Sequence, residues 1–291
     1  MRFNQLDDWL EWQETLNPAE IELGLDRIST VLAQAGLADK FPCPLITVAG
    51  TNGKGSVVAI LEAIAISAGL RVCSYTSPHV FKYNERIKFD GQPVGDAVLC
   101  DAFDRIDRAR CAGTQGEVPL TYFEFGTLAA IDLFHRQRPD IVLFEVGLGG
   151  RLDATNIMEP DVSVLTSVAI DHVDWLGSDR ESIGFEKAGI FRAGKMVVCG
   201  EPDPPVSVLQ HAQQLGCRFL RVGKDYDVLD QPCYENDLPE RKVTHTWDLR
   251  SCLGDMADLP MPGLVGDFQK RNAATAIVAI QALIDSDQLH K

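Results

Sequence analysis

The chain has 291 residues, 45% of them hydrophobic, with a mean hydropathy of −0.03 and a formal net charge of −15. This composition predicts a water-soluble globular protein of one large or two ordinary domains. The acidic balance argues against nonspecific attraction to nucleic acid or an anionic membrane, and no run approaches the ~20 apolar residues of a membrane span.

The N-terminus, "MRFNQLDDWLEWQ", places acidic residues and Trp where a signal peptide needs a basic start and an apolar stretch, so a cytoplasmic location is expected. Eight cysteines, at 43, 73, 100, 111, 199, 217, 233 and 252, form no C-x-x-C pair and read as reduced thiols. Residues 4–14 and 20–35 look helical. Strands are expected at 45–49 (LITVA), 71–75 (RVCSY), 141–146 (IVLFEV), 162–168 (VSVLTSV) and 195–199 (KMVVC). Helices are expected between them, near 56–68, 96–110, 123–137 and 180–190. Apolar strands alternating with helices predict an α/β fold, a mostly parallel sheet with helices on both faces. Residues 218–265 read as a small β-rich subdomain, and 268–285 ("FQKRNAATAIVAIQALID") as an Ala-rich helix.

Ligands of parallel sheets collect beyond the carboxyl ends of the strands, and the unusual residues fall there. After the first strand comes "VAGTNGKGS", a P-loop with only Thr51 and Asn52 between Gly50 and Gly53, shorter than the usual Walker spacing. Gly50, Gly53 and Gly55 let backbone N–H groups approach phosphate oxygens, the next helix adds its positive end, and Lys54 supplies a charge. An ordinary glycine-rich turn is the plainer alternative. Glu145 ends an apolar strand, where a carboxylate needs either a metal or an ion pair with a neighbour such as Arg151. His172 in "AIDHVDWLG" alone reads more readily as a structural residue than as a ligand, and it gains weight as a ligand only by sharing the sheet edge with Glu145. Ser77 and His79 in "TSPHV" share the same edge, though Pro78 allows a mere turn. Lys187 in "FEKAGIF" reads on composition as a solvated lysine, with Glu186 as its ion-pair partner.

Together, "VAGTNGKGS", "TSPH", "LTYFE", "EVGLGGRLDATN", "DHVDWLG", "EKAGIFR" and "NAATA" closely resemble the folylpolyglutamate synthase/dihydrofolate synthase family. That family is related to the Mur ligases, which share the short loop. The resemblance covers residues 17–285 or so, and it implies a Mur-ligase central-domain type of P-loop sheet plus the small β-rich subdomain. It implies ATP-dependent ligation of L-glutamate to dihydropteroate and to folate polyglutamates, through an acyl phosphate. Residues 1–285 would then be the ATP- and pterin-binding ligase domain and 286–291 the start of a linker. The C-terminal glutamate-binding domain would be absent from the chain, with ligation absent or very weak.

By the same resemblance, Thr51, Asn52, Gly53, Lys54, Gly55 and Ser56 would cradle ATP, and Asn272 would face the adenine. Ser77, Glu145 and His172 would bind Mg²⁺, at two sites, with Lys187 as a carbamoylated lysine at the second. Lys54, Glu145, His172 and Lys187 would form the catalytic set. Glu22, Leu23, Gly24, Thr121, Tyr122, Phe123, Glu124, Leu152, Asp153 and Ala154 would line the pterin pocket. Implied partners are small molecules only (dihydropteroate, folates and L-glutamate), and a monomer is expected. A Mur-type cell-wall ligase would need a uridine-nucleotide domain, for which the 44 residues before Leu45 are too few. A monofunctional folylpolyglutamate synthase, or a P-loop binding module without ligase chemistry, are the other readings. The second leaves "DHVDWLG" and "EKAGIFR" unexplained.

Overall fold

The computed structural model describes residues 1–289 apart from 18, 20, 115, 231–245 and 267. Two helices, α1 (Leu6–Glu14) and α2 (Asp26–Gln34), precede β1 (Leu45–Ala49). Then come α3 (Lys54–Ser67), β2 (Val72–Tyr75), the short strands β3 (Ile87–Phe89) and β4 (Gln92–Pro93), α4 (Asp96–Arg110), α5 (Tyr122–Gln137) and β5 (Ile141–Glu145). The second half runs β6 (Val162–Leu165), α6 (Val173–Leu176), α7 (Arg180–Ala188), β7 (Met196–Cys199), α8 (Val206–Gln214) and β8 (Arg218–Arg221). It continues through β9 (Tyr226–Asp230), β10 (Thr246–Ser251), β11 (Met256–Pro260) and α9 (Gln269–Asp285).

Eight strands form one sheet in the order β4-β3-β2-β5-β1-β6-β7-β8, parallel from β2 to β8 and antiparallel at the β3–β4 edge. The expected fold class is what the chain adopts. Successive strand residues point to opposite faces, and both faces are covered. Leu45, Val142 and Phe144 pack with α1, α2, α4 and α5, while Ile46, Val48, Ile141 and Leu143 pack with α3 and α9. Alternation between two apolar layers explains why these strands read as continuous hydrophobic runs. Val48 pairs with Glu145, and Ala49 with Leu165, so the central strands end level with one another. That shared edge positions the site.

Two local expectations change. Residues 218–221, expected with the small β-rich unit, add as β8 to the edge of the main sheet, parallel to β7. The run between Gly216 and Gly223, CRFLRV, is short and flanked by turn glycines, a pattern that suits either sheet; the crossover helix α8 decides it. The small sheet is β11-β10-β9, antiparallel, and residues 231–245 of the expected subdomain lie outside the described residues. The helix expected from residue 20 starts at Asp26, which leaves 21–25 without regular secondary structure, with residues 21–24 beside the cleft described below. Seven cysteines are free thiols; Cys233 lies outside the described residues. Among the described residues no helix is long and apolar enough to cross a membrane.

Candidate active site

The loop after β1 is held in shape before any ligand arrives. Gly50 and Gly53 have φ of 152° and 85°, and a Cβ on Gly53 would lie 2.8 Å from Asn272 Oδ1. A side chain at either position would be strained, which is why glycine stands there. The end of β6 pins the loop: Thr51 N donates to Ser167 O (2.9 Å), Asn52 N to Ser167 Oγ (3.0 Å) and Thr166 Oγ1 to Asn52 O (2.6 Å). Lys54 curls back, its Nζ donating to Gly50 O at 3.0 Å and Thr51 O at 3.4 Å. The 14-residue helix α3 starts at Lys54 and points its N-terminal end at the loop. On the other side α9 closes in. Asn272 Nδ2 donates to Gln269 Oε1, and Gln269 Nε2 donates to Ser56 Oγ at 3.3 Å. Residues 51–56 and Asn272, which the family resemblance groups around ATP, therefore adjoin one another.

Glu145 is buried and accepts a hydrogen bond from Ser77 N at 3.2 Å. Burial raises its carboxyl pKa, and the Lys54 charge pulls the other way. Arg151 does not pair with Glu145; it binds Glu186 at 2.8 Å. That one ion pair removes both plain alternatives, because Glu186 was also the expected partner of Lys187. Lys187 itself is 3% exposed and makes no ion pair among the described residues. Burial, with Lys54 as a nearby like charge, lowers its ammonium pKa to about 8. The bland reading of a solvated helix lysine is thus corrected.

A buried ammonium with a depressed pKa burdens the fold wherever it is charged. The unfolded chain binds its proton up to pH ~10.5 and the folded chain only up to about 8, so this burden falls as pH rises between them. Lys187→Met should therefore be more stable than the parent at pH 7, by on the order of 3 kcal/mol, with the difference vanishing near pH 10.5. Urea unfolding of both proteins across that range in CO₂-free buffer checks it; a difference independent of pH contradicts it.

His172 stands apart. It sits on a left-handed turn (φ 48°) before α6, and its Nε2 lies 3.6 Å from Asp171 Oδ2. It lines the same cleft as Lys54 and Ser77 but is half exposed, and no cluster of three His, Cys, Asp or Glu is present among the described residues. His79 is engaged elsewhere: its Nδ1 accepts from Arg86 Nε at 2.8 Å.

The ten residues expected at the pterin pocket, Glu22 to Gly24, Thr121 to Glu124 and Leu152 to Ala154, all line one cleft of about 890 Å³, together with Lys54. Thr121 and Glu124 form a reciprocal capping box at the start of α5. Glu124 and Glu22 are bridged by Arg27, at 3.1 and 2.7 Å. Asp153 accepts from Leu148 N, Thr155 N and Thr155 Oγ1. These three carboxylates are thereby engaged in shaping the walls. Phe123 lies near-parallel to Tyr75, at 5.9 Å and 29°, and backs onto Gly147, where a Cβ would come 2.7 Å from its ring. Gln13, Glu14, Asn17 and Arg86 also line the cleft. The motifs did not point to them, since they arrive from α1, the segment after it, and a short 3₁₀ turn, none of which carries a local signature. Only the T-x-x-E pattern at 121–124 offered a local signal that went unused.

Residues 102–280 match the family model of the Mur ligase middle domain. The chain is 44% identical over 280 residues to the dihydrofolate synthase/folylpolyglutamate synthase of Escherichia coli, an alignment covering 95% of this chain and 60% of that protein. It superposes on Escherichia coli FolC in complex with DHPP and ADP with a TM-score of 0.84 at 43% identity, covering 96% of this chain and 62% of that one. A Yersinia pestis bifunctional folylpolyglutamate synthase/dihydrofolate synthase complexed with AMPPNP and Mn ion gives 0.82 at 42%, covering 96% and 62%. The chain thus spans about 60% of the length of such relatives.

Proposed function

This chain belongs to the Mur ligase family, and we propose that it forms the ATP- and pterin-binding part of a ligase that joins L-glutamate to dihydropteroate and to folates. The observation that carries this is the sharing of one cleft: Lys54 of the phosphate loop and all ten residues of the pterin wall open onto the same space. A ring held beside Phe123 would direct its carboxylate tail toward the loop. The carboxylate oxygen attacks the γ-phosphorus, ADP leaves, and an acyl phosphate results. The amine of glutamate, having lost a proton, then attacks the acyl carbon; phosphate leaves and the amide remains.

Such chemistry needs two anions brought together and held in line rather than covalent help from the protein. Backbone N–H groups of residues 53–56, at the first turn of α3, and the Lys54 ammonium would supply that on a chain of net charge −15. The Escherichia coli and Yersinia pestis relatives crystallised with adenine nucleotides, one with manganese, support ATP and a divalent cation here. Glu145 and the Ser77 hydroxyl are hard oxygen donors beside the loop, and Mg²⁺ typically takes only one or two protein carboxylates besides phosphates and water. Glu145 and Ser77 fit such an ion, and His172 at the rim of the cleft would be the third donor of the proposed set. Magnesium, when bound, neutralises charge on the phosphate oxygens. Lys187, a buried amine titrating near 8, has the neutral form that adds CO₂ to give a carbamate and a proton, so a carbamoylated Lys187 is part of this proposal.

Thermal unfolding with each ligand tests it, since a ligand that binds only the folded state stabilises by roughly 2.7 kcal/mol at a hundredfold excess over Kd. MgATP and dihydropteroate should each raise the melting temperature. A shift with folate alone favours a purely polyglutamylating enzyme, and no shift with either contradicts the proposal.

A further inference from the structure

The wall of the cleft holds a polar group that nothing in the protein satisfies. Gln13, on α1, lines the cleft and is 1% exposed, yet neither its amide nitrogen nor its amide oxygen has a hydrogen-bond partner. Buried carboxamides are almost always paired, and one left bare costs its full desolvation. The surroundings are well placed to have paired it. Nearby on the same wall, the Asn17 amide donates to Glu22 and Pro119 O, and Glu22 pairs with Arg27. Those groups are engaged with each other, and the polar edge of a ligand in the cleft would supply the partner that Gln13 lacks.

A primary amide offers an N–H donor beside a C=O acceptor. The group it matches is a lactam edge, a ring N–H beside a ring C=O, which returns both hydrogen bonds at once. The unbranched side chain has enough rotatable bonds to turn its amide toward a ring entering the cleft. We infer that Gln13 is a specificity-determining residue that pairs through its amide with the 2-amino-4-oxo edge of a pterin. This deepens the proposed function and rests on it. The amide is uncharged, so it reads the lactam without adding to the acidic balance of the cleft.

Binding of MgATP, dihydropteroate and the 2,4-diamino analogue of dihydropteroate would be measured by calorimetry on the whole chain and on two variants. Gln13→Leu, which replaces an unsatisfied amide with an apolar group of similar size, should melt no lower than the parent and bind MgATP unchanged. It should bind dihydropteroate about tenfold more weakly, the worth of two ordinary hydrogen bonds. Gln13→Glu presents only acceptors, so it should lose dihydropteroate and favour the 2,4-diamino ring, whose exocyclic amines donate. A Gln13→Leu protein that melts lower but binds dihydropteroate like the parent makes the residue purely structural and overturns the inference alone. A parent chain that binds MgATP but neither ring overturns the pterin reading and this inference together.

Discussion

Lys54→Ala should bind MgATP roughly ten- to a hundredfold more weakly than the parent, the loss expected for one charge-assisted contact of about 1.5–3 kcal/mol. In the unliganded protein the ammonium donates to the carbonyls of Gly50 and Thr51. Those bonds hold the side chain over the loop rather than supporting the core, so stability without ligand should change little. Dihydropteroate binding should survive, because the ring end of the cleft is built by α1, α5 and the 147–154 loop. A second consequence separates this variant from simple damage. Lys54 is the nearest like charge acting on Lys187, second only to burial in lowering its pKa. Its removal should raise the Lys187 pKa, which a reactivity profile of that amine against pH detects. Equal loss of MgATP and dihydropteroate binding would show that the loop had collapsed instead.

Glu145→Gln should separate function from stability in the opposite sense. Burial raises the pKa of this carboxyl in the fold. A carboxylic acid with a raised folded pKa favours the fold when protonated, and that favour is lost as pH rises from the unfolded value through the folded one. Above that window the ionised group burdens the fold. The glutamine variant keeps an acceptor for Ser77 N–H and sheds the charge, so at pH 7 it should be at least as stable as the parent. Divalent-metal dependence of nucleotide binding should disappear, and any phosphoryl-transfer rate should fall by about 100-fold or more, as when a preorganised electrostatic group is removed. Function bought at the expense of stability is common at such sites. A variant that melts well below the parent while retaining metal-dependent binding would contradict the assignment.

Much of this was legible before the structure, for identifiable reasons. The five central strands are short, mostly apolar and wholly buried runs, and their alternation with helices follows from a sheet buried on both faces. The phosphate loop was legible because Gly50, Gly53, Lys54 and Ser56 are local in sequence, so spacing alone encodes the cradle. The residues proposed for a pterin wall came from motifs at 21–25, 120–124 and 152–154, and the fold brings all three to one cleft. Lys187 shows the limit of composition: a lysine near the end of an amphipathic helix reads as solvated, and only tertiary packing, with Gly150 close against the Lys187 backbone, buries it. Gln13 and Arg86 were silent because their placement is purely tertiary. β8 reads with the wrong sheet because a strand of only four residues, RFLR, carries no mark of its neighbour.

The central claim is that one cleft receives both the triphosphate and the pterin, with the reactive carboxylate meeting the loop at Lys54. A crystal structure of the chain with a non-hydrolysable MgATP analogue and dihydropteroate bound together tests it most directly. The account predicts phosphates against the backbone of residues 51–56, the ring beside Phe123, and the carboxylate pointing toward the γ-phosphate between Lys54 and Lys187. A nucleotide seated away from Lys54, or a pterin outside the cleft walled by residues 22–24, 121–124 and 152–154, would contradict it.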